Sequence, residues 1–271
     1  MPRAEPHKHD DSENVDTLLG LCTDLAVTAA SQTAQRRAEH TQFETDTKSS
    51  QSDLVTEFDR SAENYIRRRL TTERPLDGVI GEEGDDVPDS SGLTWIVDPI
   101  DGTTNFVFGL PAWGCSVAVA RGVDLLAGAV HLPALDETFA AALGRGATRN
   151  GVPIHSSQRS SLETALVATG FSYDAHRRAE QGVVVARLLP KVRDIRRSGS
   201  AAYDLCCVAA GTVDAYYEQS LSIWDIAAGA LIAKEAGARV EISPRNATTD
   251  LTVMASTPNI FPLLRSVVIT P

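Results

Sequence analysis

An apolar run, Trp95-Ile96-Val97, leads directly into Asp98-Pro99-Ile100-Asp101 and then into Gly102-Thr103-Thr104-Asn105-Phe106. The segment reads as a strand whose end carries two carboxylates three residues apart, followed by a change of direction at glycine. Carboxylates brought together at a strand end repel unless positive charge sits between them. Pro99 fixes the backbone, so Asp98, the Ile100 carbonyl and Asp101 can converge on one point while the Ile100 side chain enters the core. Carboxylate and carbonyl oxygens, with no His or Cys among them, select a hard cation such as Mg²⁺ or Mn²⁺. Gly102-Thr103-Thr104 then opens a helix whose free N–H groups and dipole favour an anion. A hard cation beside a helix N-terminus is a phosphate site.

Composition removes several competing readings. The chain has 271 residues, 42% of them hydrophobic, enough for one large domain or two closely packed ones. Its formal charge of −11 argues against binding nucleic acid through the phosphate backbone. There is no HExxH and no GxxxxGK[ST]; a GxG at Gly144 and Gly146 meets Arg149 where a third Rossmann glycine would stand. Cys22, Cys115, Cys206 and Cys207 form no CxxC pair and read as buried, reduced thiols. No apolar run is long enough to span a bilayer and the N-terminus lacks a signal-peptide core, so a cytoplasmic protein without membrane contact is expected.

Helical and strand patterns interleave along the whole chain. Met1 to Asn14 is polar and reads as a disordered leader. A helical stripe over 15–38 is followed by a strand near 42–45, the polar loop around Lys48, and a helix that Asp53 could cap, running through Ala62, Ile66 and Leu70. Strands are expected at 79–81 and 94–100, then an antiparallel meander at 113–121, 124–132 and 136–143, with a turn at Arg149-Asn150-Gly151-Val152-Pro153. The second half predicts strands at 165–168, 192–195, 213–218, 240–242 and 252–255. Helices are expected over 179–189, from Ser200 to near Gly211, from about Ser222 to Gly237, and from about Pro258. The class is mixed α and β. The expected division is an N-terminal α+β half over 15–150 and a C-terminal α/β half over 151–271.

Four acidic elements each end a strand or begin a helix: Asp59, Glu82, the Asp98/Asp101 pair and Asp225. Singly, Asp59 and Asp225 suit first helical turns, where acids complement the macrodipole, and Glu82 suits a solvated loop. Together, "DLVTEFD", "IGEE", "DPIDGTTNF" and "WDIAAG", in that order, resemble the inositol monophosphatase family of metal-dependent phosphomonoesterases over about residues 15–268. The resemblance implies a layered αβαβα sandwich of the inositol monophosphatase and fructose-1,6-bisphosphatase type, a homodimer, lithium sensitivity, and two or three Mg²⁺ per site, with Mn²⁺ as the alternative. Carried over by motif, Glu82, Asp98 and the Ile100 carbonyl would hold a first ion, and Asp98, Asp101 and Asp225 a second. Glu82 would also reach a third ion through water. Asp59 and Thr103 would orient and activate the attacking water, and the Gly102 and Thr103 N–H groups would take phosphate oxygens. Lys48 matches a basic residue on a loop near the site.

The same resemblance assigns Gly199, Ser200 and Ala201 to the leaving-alcohol side and Glu218 to a hydroxyl of the substrate, an inositol monophosphate. Asp101 and Asp225 would also touch substrate. The alternatives are histidinol phosphate, fructose 1,6-bisphosphate and adenosine 3′,5′-bisphosphate on the same metal site, or a regulatory protein-binding role for the same fold. The chain departs from the family pattern in a short hairpin after Gly237, in Thr148 and Arg149 where apolar residues are common, and in a longer polar leader. These bear on edge geometry and dimer contacts and leave the metal ligands in place.

Overall fold

A computed structural model describes the backbone of residues 11–39, 45–47, 54–244 and 249–269, and side chains for 15–39, 57–244 and 249–269 of these. The chain opens with α1 (Asp11–Glu39), which starts inside the expected leader. A small antiparallel pair follows, β1 (Thr45–Thr47) and β2 (Leu54–Thr56), then α2 (Glu57–Glu73). Asp53 and Lys48 lie outside the described residues, as does most of the strand expected at 42–45; β2 comes between Asp53 and the helix.

A seven-stranded sheet is built in chain order from β3 (Gly78–Gly81), β4 (Thr94–Asp101), β5 (Gly114–Arg121), β6 (Asp124–Leu132), β7 (Glu137–Ala142), β8 (Gly146–Arg149) and β9 (Val152–Ile154). Only β3 and β4 run parallel; the rest is the expected meander, carried further by the β8–β9 hairpin. That hairpin turns at Asn150 and Gly151, with φ of 50° and 75°, the two positive values a tight hairpin requires. Thr148 and Arg149 lie on β8, where Arg149 pairs with Glu137 at 3.4 Å. The short helix α3 (Thr103–Phe108) leaves the end of β4.

The second sheet has five strands in the order β11 (Asp194–Arg196), β10 (Leu166–Thr169), β12 (Ala215–Leu221), β14 (Leu251–Ser256) and β13 (Arg239–Pro244). Its helices are α4 (Ala175–Leu188), α5 (Ala201–Ala209), α6 (Ile223–Glu235) and α7 (Phe261–Val268). Two of these helix starts differ from the expected ones by three or more residues. Helix α4 starts four residues earlier, because Asp174 caps it by accepting the Arg177 N–H at 2.9 Å. The last helix starts at Phe261, because Pro258–Ile260 forms a turn closed on the Thr257 carbonyl.

Three clusters of apolar side chains set the layers. Trp95, Val97, Val117 and Val119 pack with Leu18, Cys22 and Leu25 of α1 and Ile66 and Leu70 of α2. The opposite face of the same sheet, with Ile96, Ala118 and Val130, meets α5 and α6, whose other sides meet Tyr216, Val253 and Ala255 of the second sheet. Beyond that sheet, Val167, Tyr217 and Met254 pack under α4 and α7. The order is helix, sheet, helix, sheet, helix, the five-layered sandwich expected.

The central layer is closely spaced because its residues are small. A Cβ on Gly128 of β6 would lie 2.9 Å from the Ala228 Cα of α6, and one on Gly229 would lie 2.8 Å from the Leu205 Cβ of α5. Ala227-Ala228-Gly229 therefore lets α6 sit against a sheet and a helix at once, and the Asp225 at its first turn comes with it. All four cysteines are free, three of them buried and Cys207 half-buried. No described helix is long and apolar enough to cross a membrane.

Candidate active site

The two carboxylates of β4 converge because the strand is irregular where they stand. Along β4, side chains alternate between the α1/α2 face and the α5/α6 face, so a step of three residues would put Asp98 and Asp101 on opposite sides. Asp98 pairs with Ser116 and Asp101 with Gly114, so one extra residue is accommodated on β4 between those pairs. Pro99, which has no N–H to offer the ladder, lies in this bulge, and Ile100 is fully buried against Phe58, Phe106 and Trp113. The Ile100 N–H donates to Asp98 Oδ1 at 3.0 Å, and its carbonyl accepts from Thr103 Oγ1 at 3.0 Å. Both acids are buried and face the same cleft.

Asp225 arrives from the central layer. It is the third residue of α6, and its Oδ2 accepts the Ser222 N–H at 2.6 Å in a capping box. One carboxylate oxygen from each of Asp98, Asp101 and Asp225 lies within 4.8 Å of the others. Glu82, just past β3, lines the same cleft. Burial raises the Asp98 carboxyl well above the ordinary range, and the charges of Glu82, Asp101, Asp225 and Asp59 raise it further. Burial likewise raises Asp225, aided by Glu82 and Asp101. Asp101 is pushed up to about 6 by burial, against hydrogen bonds from the Ser200 hydroxyl and the backbone of α5. Carboxylates crowded in this way, with only oxygen donors, fit one or more hard divalent cations and fit no soft metal.

Gly102 turns the chain with φ of 89°, and a Cβ there would lie 2.9 Å from the Ala112 carbonyl, so glycine is required. Helix α3 has only six residues, so its free N–H groups, rather than a long macrodipole, are what it offers an anion. On the facing wall, Ser200 caps α5 by accepting the Tyr203 N–H at 3.1 Å while its hydroxyl donates to Asp101 Oδ2. The Ala202 N–H donates to the same oxygen at 2.7 Å. The cavity between these walls has a volume of about 270 Å³ and takes in Glu82, Thr103, Gly199, Ala201 and Glu218 as well. Asp59 does not line it; it is buried one layer back in the first turn of α2, where its charge acts on Asp98.

A model of the inositol monophosphatase family matches residues 15–259. This chain belongs to that family. The inositol-1-monophosphatase SuhB of Mycobacterium tuberculosis H37Rv is 46% identical over 223 residues, covering 79% of this chain and 77% of that one. A crystal structure of the suhB protein of Bartonella henselae superposes with a TM-score of 0.87 at 31% identity, over 93% and 98% of the two chains. The inositol monophosphatase of Anabaena gives a TM-score of 0.83 at 30% identity, over 95% and 98%. The family is one of metal-dependent phosphomonoesterases, and the acidic cluster in the cleft could hold a metal ion.

Asn105 and Tyr216, which support this inositol monophosphatase site without lining its cavity, and Arg197, which lines it, were not singled out from the sequence. Asn105 is buried, and its side-chain amide donates to the Ala112 carbonyl and, at 2.8 Å, to the Ser198 carbonyl, tying α3 to the opposite wall. An asparagine inside a short apolar helix was the available signal. Tyr216 donates its hydroxyl to Glu218 Oε2 at 2.7 Å, from two residues earlier on the same face of β12. Glu218 is pushed up to about 7 by loss of hydration, with the Tyr216 hydroxyl and the Arg197 charge pulling the other way. Among the described residues, Arg197 is the cation that lines a cleft otherwise rich in acids.

Proposed function

We propose that this chain hydrolyses inositol monophosphate to inositol and phosphate with Mg²⁺ bound at the Asp98, Asp101 and Asp225 cluster. The observation that carries the reading is the convergence of those three carboxylates beside the Gly102–Thr103 turn, on a chain of this family. The donor set would be completed by Glu82 and the Ile100 carbonyl, with Asp98 shared between two ions. Bound there, the ions supply charge neutralisation for phosphoryl oxygens and acidify a water molecule for in-line displacement.

The protein groups divide the remaining work. The Gly102 and Thr103 N–H groups hold phosphate oxygens. Thr103 Oγ1, on the cavity wall, would orient the attacking water, and Asp59, buried behind that wall, would act on it indirectly through the charge it places near Asp98. On the opposite side, Gly199, Ser200 and Ala201 form the wall met by the leaving alcohol. Glu218, held by the Tyr216 hydroxyl, accepts a hydrogen bond from an inositol hydroxyl; a neutral polyol needs acceptors of this kind. A homodimer is the assembly expected for the family.

Turnover of inositol 1-phosphate, histidinol phosphate, fructose 1,6-bisphosphate and adenosine 3′,5′-bisphosphate should be compared at fixed Mg²⁺. Inositol 1-phosphate is expected to give the highest kcat/KM, and activity is expected to vanish in excess EDTA. Preference for another of the four would replace the substrate and keep the metal site. Full activity in EDTA would remove the metal-dependent reading altogether.

A further inference from the structure

Glu82 lies in a loop just past the end of β3, and three side chains of α2 hold that loop in place. Glu63 is 1% exposed, and its carboxylate accepts the Glu83 N–H at 2.8 Å on Oε2 and the Gly84 N–H at 2.8 Å on Oε1. Arg67, one turn on, donates to Glu63 at 2.6 Å and reaches past it to the Asp85 carbonyl at 2.9 Å and the Gly84 carbonyl at 3.2 Å. Arg60 stands 3.7 Å from the carboxylate of Glu83, itself nearly buried. The fit is close. A Cβ on Gly81 would meet the Glu63 carboxylate at 2.7 Å, and one on Gly84 would meet the Arg67 guanidinium at 2.8 Å.

We infer that Glu63 and Arg67 are positioning residues for the metal centre, fixing where Glu82 stands relative to Asp98. The inference rests on the reading of Glu82 as a ligand given above. Asp59, Glu63 and Arg67 recur every four residues on one face of α2, so the helix that presents Asp59 also fixes the Glu82 loop. A carboxylate accepting two backbone N–H groups and an arginine is a strong, charge-assisted anchor. Asp98, Asp101 and Asp225 each take a hydrogen bond from neighbouring backbone. The clamp holds the backbone that immediately follows Glu82, at Glu83, Gly84 and Asp85.

The test is Glu63→Gln. The amide keeps the size of the side chain but presents an NH₂ to one of two backbone N–H groups and drops the charge paired with Arg67. Calorimetric titration of the metal-free protein with Mg²⁺, without substrate, is expected to show affinity weaker by about 10–100-fold, the usual effect of losing a ligand's outer partner. The Mg²⁺ concentration for half-maximal activity should rise by the same factor, while kcat at saturating Mg²⁺ stays within about threefold of wild type. Arg67→Ala should behave alike. Arg69→Ala is the control for general loosening of α2, because Arg69 pairs with Glu73 and Asp24, away from the loop, and it should leave Mg²⁺ binding unchanged. Wild-type affinity in both clamp variants, or equal weakening in Arg69→Ala, would overturn the inference. If the unaltered protein binds no Mg²⁺, the proposed function fails instead, so the two failures are distinguishable.

Discussion

Asp98 is the residue on which the proposed chemistry leans hardest, and Asp98→Asn separates its catalytic from its structural part. A charge shared between two ions supplies several kcal/mol at the transition state, so turnover at saturating Mg²⁺ should fall by about a hundredfold or more. The metal-free variant should melt no lower than metal-free wild type, because Asp98 is buried among Glu82, Asp101, Asp225 and Asp59 and one charge fewer relieves repulsion. Calorimetry of both metal-free proteins and steady-state kinetics check the two halves, and near-normal turnover would rule out a shared ligand. Glu218→Gln tests the other wall. Losing a charge-assisted hydrogen bond costs about 1.5–3 kcal/mol, so kcat/KM on inositol 1-phosphate should drop roughly ten- to a hundredfold, with little change on an aryl phosphate. Equal losses on both substrates would instead give Glu218 a role in supporting the site.

Among the elements, α6 and β4 fix the site, and each has a weak point that can be probed. Gly128→Ala should push β6 and α6 apart at Ala228, costing about 1–3 kcal/mol by overpacking and weakening Mg²⁺ binding through Asp225. Denaturant melts with and without Mg²⁺ would show both effects; unchanged stability would mean that the layer yields at no cost. Strand β4 is anchored at its other end by Asp77, which accepts from Trp95 Nε1 at 2.9 Å, Arg74 Nε at 2.7 Å and Ser91 Oγ at 2.6 Å. Burial works against the Asp77 charge, yet these partners hold its carboxyl below the ordinary value. Its stabilisation is therefore complete above the unfolded value of about 3.9 and is lost as pH falls through the depressed folded value. Asp77→Ala should cost about 2–3 kcal/mol at pH 7; the part due to the charge paired with Arg74 should be lost in acid, while the part due to the stranded indole N–H should remain, because a protonated carboxyl still accepts from it. The meander was legible because alternation and turn residues are local, and the acids of β4 because proline and glycine bracket them. The start of α4 was not, since its first turn, Ala-His-Arg-Arg, is polar and only the Asp174 cap marks it. Nor was the Glu63 clamp, because a buried acid on a helix looks like any other charge until its loop is seen folded over it.

At the scale of the molecule, the candidate ligands come from different halves of the chain: Glu82, Asp98 and Asp101 on the first sheet and its loop, and Asp225 on the central layer. Any ion that binds the folded site and not the unfolded chain stabilises the whole. At about one hundred times the dissociation constant the gain is about 2.7 kcal/mol, or roughly 5–10 °C in melting temperature. Scanning calorimetry with Mg²⁺ and with EDTA measures it, and a Mg²⁺-independent midpoint would mean that the acids hold no ion. Helix α6 also has a consequence for motion. Residues 226–233 are buried without interruption between two sheets, whereas α4 and α7 are outer layers with exposed apolar side chains such as Val183 and Leu263. Amide protons within α6 should therefore exchange with solvent only through opening of the entire fold, and those of α4 and α7 through smaller excursions. Asp225 rides on the slowest-exchanging helix, so the metal-side geometry should persist through fluctuations that transiently loosen α4 and the Ser172–Asp174 rim it carries.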